Sequence, residues 1–68
     1  MNEDVFNTSI RKFLKTLGVS GQREIEKAVR QALAEGRLNG NEKLTAQAVI
    51  TIGSLQFRHE INEPIELA

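Results

Sequence analysis

Residues 44–61 read LTAQAVITIGSLQFRHEI and decide the fold. From Leu44 to Ile52, apolar side chains alternate with Thr, Gln and Val, which is the period of a half-buried strand. Gly53-Ser54 then has the composition of a two-residue hairpin turn of type II′. Such a loop places the following pairs on one face: Ile52 with Leu55, Ile50 with Phe57, Ala48 with His59, and Ala46 with Ile61. The sequence therefore predicts an antiparallel hairpin with strands at about 44–52 and 55–61.

The C-terminal tail offers a third strand. Pro64 is tolerated there because proline occurs at strand starts and on sheet edges. If residues 62–64 form a loop, Ile65 lies opposite Ile61, and the apolar face of the sheet is preserved. The pattern thus allows a third, edge strand over 65–67.

The N-terminal half has the 3.6-residue period of helices. We predict one helix over about 3–17, with Asn2 as its N-cap and Gly18 as its stop. A second helix is predicted over about 21–35, with Ser20 as N-cap and Gly36 as stop. The two apolar stripes consist of Phe6, Ile10, Phe13, Leu14 and Leu17, and of Ile25, Ala28, Val29, Ala32 and Leu33.

The short connection between these helices predicts an αα-hairpin or a helix-turn-helix corner. The polar link at residues 39–43 separates the helices from the hairpin. The expected architecture is a single α+β domain over 1–68, in which the helix pair covers one face of the antiparallel hairpin.

Composition narrows the functional classes. The 68 residues include nine Lys or Arg and nine Asp or Glu, and there is no Cys. Two domains do not fit this length, and no disulfide framework or Cys-based zinc site is available. The N-terminus lacks a basic region followed by an apolar run, and no apolar stretch approaches the ~20 residues that span a bilayer. We expect a cytoplasmic protein with no membrane contact.

His59 is the obvious catalytic candidate because it is the only histidine. The predicted hairpin points it inward, opposite the small Ala48, which indicates a structural role. One histidine with scattered carboxylates does not make a metal site, and no nucleophile or acid–base pair is assigned. The sequence therefore predicts no catalytic, metal or cofactor site and no enzymatic activity.

The zero net charge conceals an uneven distribution. Residues 11–37 hold seven basic against three acidic residues, whereas the chain from residue 58 onward has one Arg against three Glu. With a helix-turn-helix order and the hairpin as a wing, this suggests weak nucleic-acid binding as an alternative function. The contact residues would be Arg11, Lys15, Arg23, Lys27 and Arg30. Glu24 and Glu26 stand one turn before Lys27 and Arg30, so ion pairs along a solvated face are the stronger interpretation.

The sheet edge carries the preferred hypothesis. The strand from Leu44 to Ile52 contains no charge and no proline in its interior, so as an edge it would be poorly protected against pairing with another chain. We therefore expect a protein–protein interaction module whose partner is another protein or a second copy, the latter giving a homodimer through the sheet edge.

Three runs in the N-terminal half carry a resemblance: MNEDVFN at 1–7, SIRKFLK at 9–15, and REIEKAVR at 23–30, which continues into ALAEGRL at 32–38. They resemble a small family of bacterial proteins, mainly proteobacterial, of unknown function. The resemblance is close over about residues 1–44 and extends to the hairpin half in pattern only. It implies a complete natural chain and brings no activity, cofactor or catalytic residue with it.

Overall fold

A computed structural model describes residues 1–68. It contains one helix, α1 (Glu3–Ala34), and two strands, β1 (Lys43–Thr51) and β2 (Arg58–Glu66), which form a two-stranded antiparallel sheet. The prediction of an α+β chain with an N-terminal helical part and a C-terminal hairpin is confirmed. The chain consists of two compact units, Met1–Arg37 and Leu38–Ala68, and each is described by itself.

The first unit is one continuous helix of 32 residues, so the predicted pair of helices over 3–17 and 21–35 is wrong. Ser20 does not cap a new helix, because its hydroxyl donates to the Thr16 carbonyl at 2.7 Å within α1. Gly18 does not stop the first helix either, and its φ is not positive. An isolated glycine costs a helix about 1 kcal/mol relative to alanine but leaves its hydrogen bonds intact. No helix-turn-helix corner exists.

Both ends of α1 lie where the sequence predicts them. The Asn2 side chain accepts a hydrogen bond from the Val5 amide at 3.1 Å, as an N-cap does. At the other end Gly36 has φ 76°, its amide donates to the Leu33 carbonyl at 3.2 Å, and the Arg37 amide donates to Ala32 at 2.9 Å. These two hydrogen bonds together form a Schellman motif, which requires the positive φ that glycine supplies.

The hairpin is present, with a register that differs from the predicted one. Ile50 pairs with His59, and Ala48 with Ile61, two residues along from the expected partners. Because side chains alternate with a period of two, a shift of two keeps every residue on its predicted face. Facing Leu44, Ala46, Ala48 and Ile50 across the ladder are Ile65, Glu63, Ile61 and His59.

The shift originates in the connection. The predicted turn forms: Gly53 has φ 45°, and the Leu55 amide donates to the Ile52 carbonyl at 3.0 Å, as in a type II′ turn. The ladder does not resume at once, because the Phe57 amide donates back to Leu55 at 2.9 Å. Gln56 and Phe57 are therefore two extra residues on the second side, and pairing restarts at Thr51 and Arg58.

The predicted third strand is wrong. Residues 62–64 do not form a loop; they continue β2, in which Pro64 pairs with Thr45 and Ile65 with Leu44. The longer connection at 52–57 places β2 so that it runs to Glu66 against β1. The sheet consequently has two strands, and each of them is an edge.

Candidate interaction surfaces

The apolar side chains of α1 lie at the surface of its unit. Phe6 is 46% exposed and Phe13 is 51% exposed, although both are large and apolar. In the whole chain only Ala32 is buried. A contiguous exposed apolar surface is a candidate interaction site.

These residues follow a regular spacing along α1. We name as the helix stripe the set that recurs at intervals of four, four and three residues: Phe6, Ile10, Leu14, Leu17, Gly21, Ile25, Ala28 and Ala32. The repeat of eleven residues corresponds to about 3.67 residues per turn, so the set stays on one face over the length of the helix. The N-terminal half of the helix stripe holds four large side chains, and the C-terminal half holds Ile25 and the small residues Gly21, Ala28 and Ala32.

The two faces of the hairpin differ in chemistry. One face carries Leu44, Ala46, Ala48 and Ile50 of β1, all half-buried, and Ile61 and Ile65 of β2, together with the exposed polar residues His59 and Glu63 of β2. The opposite face is polar and centres on Glu60. Its carboxylate accepts from Asn62 at 3.2 Å, from Gln47 across the sheet at 2.6 Å, and from Arg58 at 2.8 Å. These hydrogen bonds, that of Asn62 foremost, lower the pKa of Glu60 from its ordinary range.

A second carboxylate organises the link before β1. The Glu42 side chain accepts from the Asn39 amide at 2.8 Å and from the Gly40 amide at 2.9 Å. The backbone N–H of Asn39 is the largest cause that lowers the pKa of Glu42. Gly40 has φ 101°, which brings its amide within reach of the carboxylate. The link is thus a closed loop around one negative charge.

The alternation of hydrogen-bonded and non-hydrogen-bonded pairs between β1 and β2 determines which backbone N–H and C=O groups remain unpaired. The Leu67 amide donates to the Glu42 carbonyl at 3.0 Å, so this pair is hydrogen-bonded across the sheet. Since hydrogen-bonded and non-hydrogen-bonded pairs alternate, the odd-numbered residues of β1 direct their N–H and C=O groups away from β2. The free edge of β1 is formed by Lys43, Thr45, Gln47, Val49 and Thr51.

The free edge of β2 is different. Its outward-facing residues include Pro64, which has no N–H to donate, so the row of donors is interrupted. Arg58, Glu60 and Glu66 add charge along the same edge. Charge and proline are the features that protect an edge from pairing. Only the β1 edge offers a continuous set of donors and acceptors.

The five basic candidates lie on α1 but do not form one cluster. Arg23, Lys27 and Arg30 share one side of the helix, while Arg11 and Lys15 lie roughly 110° round the axis from them. None of the five makes an ion pair, so the expected pairings of Arg30 with Glu26 and of Lys27 with Glu24 are both wrong. Glu26 instead accepts from Gln22 at 3.1 Å. An open depression with no buried side chain is lined by Lys15, Thr16, Val19, Ser20 and Arg23.

His59 lies on the predicted face of the hairpin, but it pairs with Ile50 rather than Ala48 and is exposed, so the predicted partner and inward position are wrong. No hydrogen bond or ion pair joins it to a carboxylate, and Glu60, its neighbour in sequence, points to the other face. No group of three or more potential metal ligands comes together. In addition, no helix has the length and apolar character that a membrane crossing requires.

The continuous helix stripe was not predicted from the sequence, because the helix end predicted at Gly18 divides it into two shorter stripes. The interval pattern across residues 14–25 is the signal that could have found it.

No curated protein and no solved structure matches the chain. The model of a family of unknown function, DUF6494, matches residues 1–68, which confirms the resemblance carried by the N-terminal half. The chain therefore belongs to the DUF6494 family.

Proposed function

We propose that this protein is a non-enzymatic protein–protein interaction module that self-associates. The observation that carries the proposal is the near absence of a core, since Ala32 alone is buried while Phe6, Phe13 and Leu17 lie exposed. Folding costs about 1–2 kcal/mol of backbone entropy per residue, and burial of apolar surface is the main term that offsets it. A second chain supplies the missing burial.

The hairpin provides a specific means of association. The free edge of β1 presents N–H and C=O groups from Lys43 to Thr51 without an internal charge. A second β1 can pair with it in antiparallel orientation across a two-fold axis, which extends two strands to four. The protected edge of β2 supports β1 as the side that pairs.

The non-enzymatic part of the proposal is supported by the surroundings of the most reactive side chain. His59 is exposed and makes no hydrogen bond with a carboxylate or hydroxyl that would orient it as a general base. The two carboxylates with lowered pKa, Glu42 and Glu60, are held in the charged form by structural hydrogen bonds, which does not suit proton donation.

Self-association is tested by sedimentation velocity and thermal unfolding of the native chain over a hundredfold range of concentration, about 1–100 µM. We expect a dimer or higher assembly and a melting temperature that rises with concentration, because association stabilises the folded state by mass action. A monomer with cooperative, concentration-independent unfolding would overturn the proposal, since such a chain would complete its own core.

The contribution of the β1 edge is tested by Val49→Pro. The Val49 N–H points away from β2, so the substitution removes a donor from the free edge and keeps the hairpin bonds. We expect weaker association, with the Val49→Thr variant as the matched control. Unchanged association in Val49→Pro would remove the β1 edge from the proposal.

Nucleic-acid binding is a second candidate, favoured by the absence of ion pairs at Arg11, Lys15, Arg23, Lys27 and Arg30. Unpaired cations are free to neutralise phosphates. The test is fluorescence anisotropy of labelled duplex DNA and RNA at low salt. Binding that is lost in Arg23→Glu/Lys27→Glu, but kept in the charge-matched control Arg37→Glu/Arg58→Glu, would support it. No binding by the native chain would exclude it.

A further inference from the structure

We infer that Asn39 is a site of spontaneous deamidation and that the Glu42 carboxylate holds this reaction back in the folded hairpin unit. The reaction converts the Asn39 side chain to a carboxylate through a cyclic imide that includes the Gly40 nitrogen. The inference concerns a covalent modification of the link before β1, and it does not depend on the proposed self-association.

The Asn39-Gly40 pair is the only place in the chain where glycine follows asparagine. The five asparagines are residues 2, 7, 39, 41 and 62, and the other four are followed by Glu or Thr. Ring closure brings the nitrogen of the following residue against the asparagine side chain, and a glycine there has no Cβ to obstruct the approach. The sequence thus makes Asn39 the most reactive asparagine of the chain.

The chemistry requires only water as a co-reactant. The Gly40 nitrogen loses its proton and attacks the Cγ atom of Asn39, so that an N–Cγ bond forms and the Cγ–Nδ2 bond breaks. The proton ends on the side-chain nitrogen, which leaves as ammonia. Water then opens the imide ring at one of its two carbonyl carbons and produces aspartate or isoaspartate. Water enters, ammonia leaves, and nothing is oxidised or reduced.

The side chain of Asn39 is available for this reaction. Asn39 is exposed, and its hydrogen bonds are made by the backbone N–H and not by the carboxamide. The carboxamides of Asn2 and Asn62, in contrast, are both hydrogen-bonded, the first as the cap of α1 and the second to Glu60. A restraint on deamidation at Asn39 must therefore act on the attacking nitrogen.

The attacking nitrogen is held by Glu42. The half-buried Gly40 donates its N–H to Glu42 Oε1 at 2.9 Å. The Asn39 N–H donates to the same oxygen at 3.1 Å and to Oε2 at 2.8 Å. These two amide nitrogens are the end atoms of the ψ torsion of Asn39, which governs how closely the Gly40 nitrogen approaches Cγ. One carboxylate therefore binds both ends of the torsion on which ring closure depends.

The hydrogen bond from Gly40 and the imide exclude each other. The imide nitrogen carries no hydrogen, so the bond to Glu42 must be lost before the ring closes. Loss of the proton also places negative charge on the Gly40 nitrogen beside the carboxylate, and like charges at close range repel. Glu42 is moreover a weak base, because hydrogen bonds from backbone amides, that of Asn39 foremost, lower its pKa. The carboxylate opposes the reaction and does not catalyse it.

Peptide mapping by mass spectrometry measures the rate of deamidation at residue 39 in the full chain at constant neutral pH. Glu42→Ala removes the acceptor of both amides, and Glu42→Gln keeps an acceptor oxygen without the charge. We expect deamidation about tenfold faster in Glu42→Ala than in the native chain, with Glu42→Gln between them. Asn39→Gln should abolish the signal, since its longer side chain requires a larger ring that forms more slowly.

Lys43→Ala is the matched control. It also weakens the start of β1, because it removes the ion pair of Lys43 with Glu66 at 3.7 Å, but it leaves the hydrogen bonds of Glu42 in place. We expect the native rate in this variant. Amide protection in β1 and β2 is measured in every variant, so that acceleration by loss of the hairpin is recognised. If Glu42→Ala loses the hairpin, the comparison uses Glu42→Gln with protected strands.

Each other outcome overturns the inference. A slower reaction in the Glu42 variants would make Glu42 a base that promotes deamidation. An unchanged rate, or no reaction, with protected strands would show that the carboxylate restrains nothing. Equal acceleration in Lys43→Ala would assign the restraint to the strand, and a signal that persists in Asn39→Gln would place the site elsewhere. Acceleration at Asn39 that is confined to the Glu42 variants establishes the restraint.

Discussion

The Ser20 hydroxyl donates a hydrogen bond of 2.7 Å to the backbone carbonyl of Thr16, one turn earlier in α1. A serine that would otherwise begin a new helix thereby has its polar group satisfied inside an existing one. The segment 17–21, with its two glycines, remains helical between two well-formed halves. The stability of the whole first unit therefore depends on how this segment tolerates its glycines.

Gly18→Ala should raise stability. Gly18 does not have a positive φ, and a Cβ added there meets nothing within 4 Å, so the substitution gains helix propensity of about 1 kcal/mol without a clash. Circular dichroism during thermal unfolding measures the change. A loss of helicity in this variant would contradict a continuous helix, because a glycine at a helix stop has a left-handed conformation that alanine disfavours.

Gly36→Ala should have the opposite effect. Gly36 adopts φ 76° and lies in open space, so the cost is one of backbone conformation rather than packing. A residue with a Cβ loses about 1–2 kcal/mol in the left-handed region. Gly36→Asn is the milder control, since asparagine tolerates that region better. Equal stability of the alanine and native chains in urea unfolding would argue against the Schellman motif.

Asn2→Ala should destabilise the start of α1 by about 1 kcal/mol, because the Val5 amide loses the side-chain oxygen that it binds at 3.1 Å. Asn2→Asp retains an acceptor and should be neutral or better. Amide hydrogen exchange at Val5 and Phe6 reports the effect locally. If exchange in the alanine variant matched that of the native chain, the Asn2 side chain would not stabilise the start of α1.

The hairpin unit should lose stability in acid. The pKa values of Glu42 and Glu60 are lowered by hydrogen bonds that exist in the folded state, whereas the unfolded groups titrate near 4.5. A group with a lowered folded pKa stabilises the fold above its unfolded pKa, and this contribution disappears as pH falls through the folded value. We therefore expect the protection factors of the amides in β1 and β2, which correct for the intrinsic pH dependence of exchange, to fall as pH falls below about 4.5.

Glu60→Gln is the control for the acid effect. The amide cannot titrate, so the pH dependence below 4.5 should flatten by the share that Glu60 contributes, and the remainder should disappear in the double variant with Glu42→Gln. An acid response as steep in the double variant as in the native chain would assign it to other carboxylates.

Deletion of Gln56 and Phe57 should leave the register of the ladder unchanged. These residues are the extra pair between the Gly53-Ser54 turn and the Thr51–Arg58 pair, so their removal joins the turn directly to the existing strands. The measurement is the nuclear Overhauser contact between the α-protons of Thr51 and Arg58, which face each other in a non-hydrogen-bonded pair. A contact between Thr51 and another residue of β2 would reveal a slipped register.

For α1, the sequence predicts the ends of the helix better than its continuity. Asn2, Gly36 and Gly53 each perform a local task, a cap, a left-handed stop and a turn, and the chemistry of one residue suffices to predict it. Gly18 and Ser20 are residue types that also occur at helix ends, but in this chain both lie within the continuous helix. Whether a glycine ends a helix depends on the energy of the continuous helix, which is a property of all 32 residues.

The hairpin illustrates a second limit. The alternation of residues 44–52 predicts which side chains share a face, and the faces are correct. The partner of each residue additionally depends on how many residues the loop absorbs, and alternation is insensitive to a shift of two. The alternation is therefore equally consistent with Pro64 in a loop and with Pro64 in β2. The candidate surfaces inherit this limit: the basic residues and the β1 edge are predictable, but the helix stripe requires an unbroken α1.

Pro64 restricts the addition of further strands to one edge of the hairpin. A sheet with two equivalent free edges adds strands on both sides and lengthens without end, as fibrils do. Here the missing N–H of Pro64 interrupts one side, and the proposed β1–β1 pairing would occupy the other. Edge pairing of that kind would therefore stop at four strands.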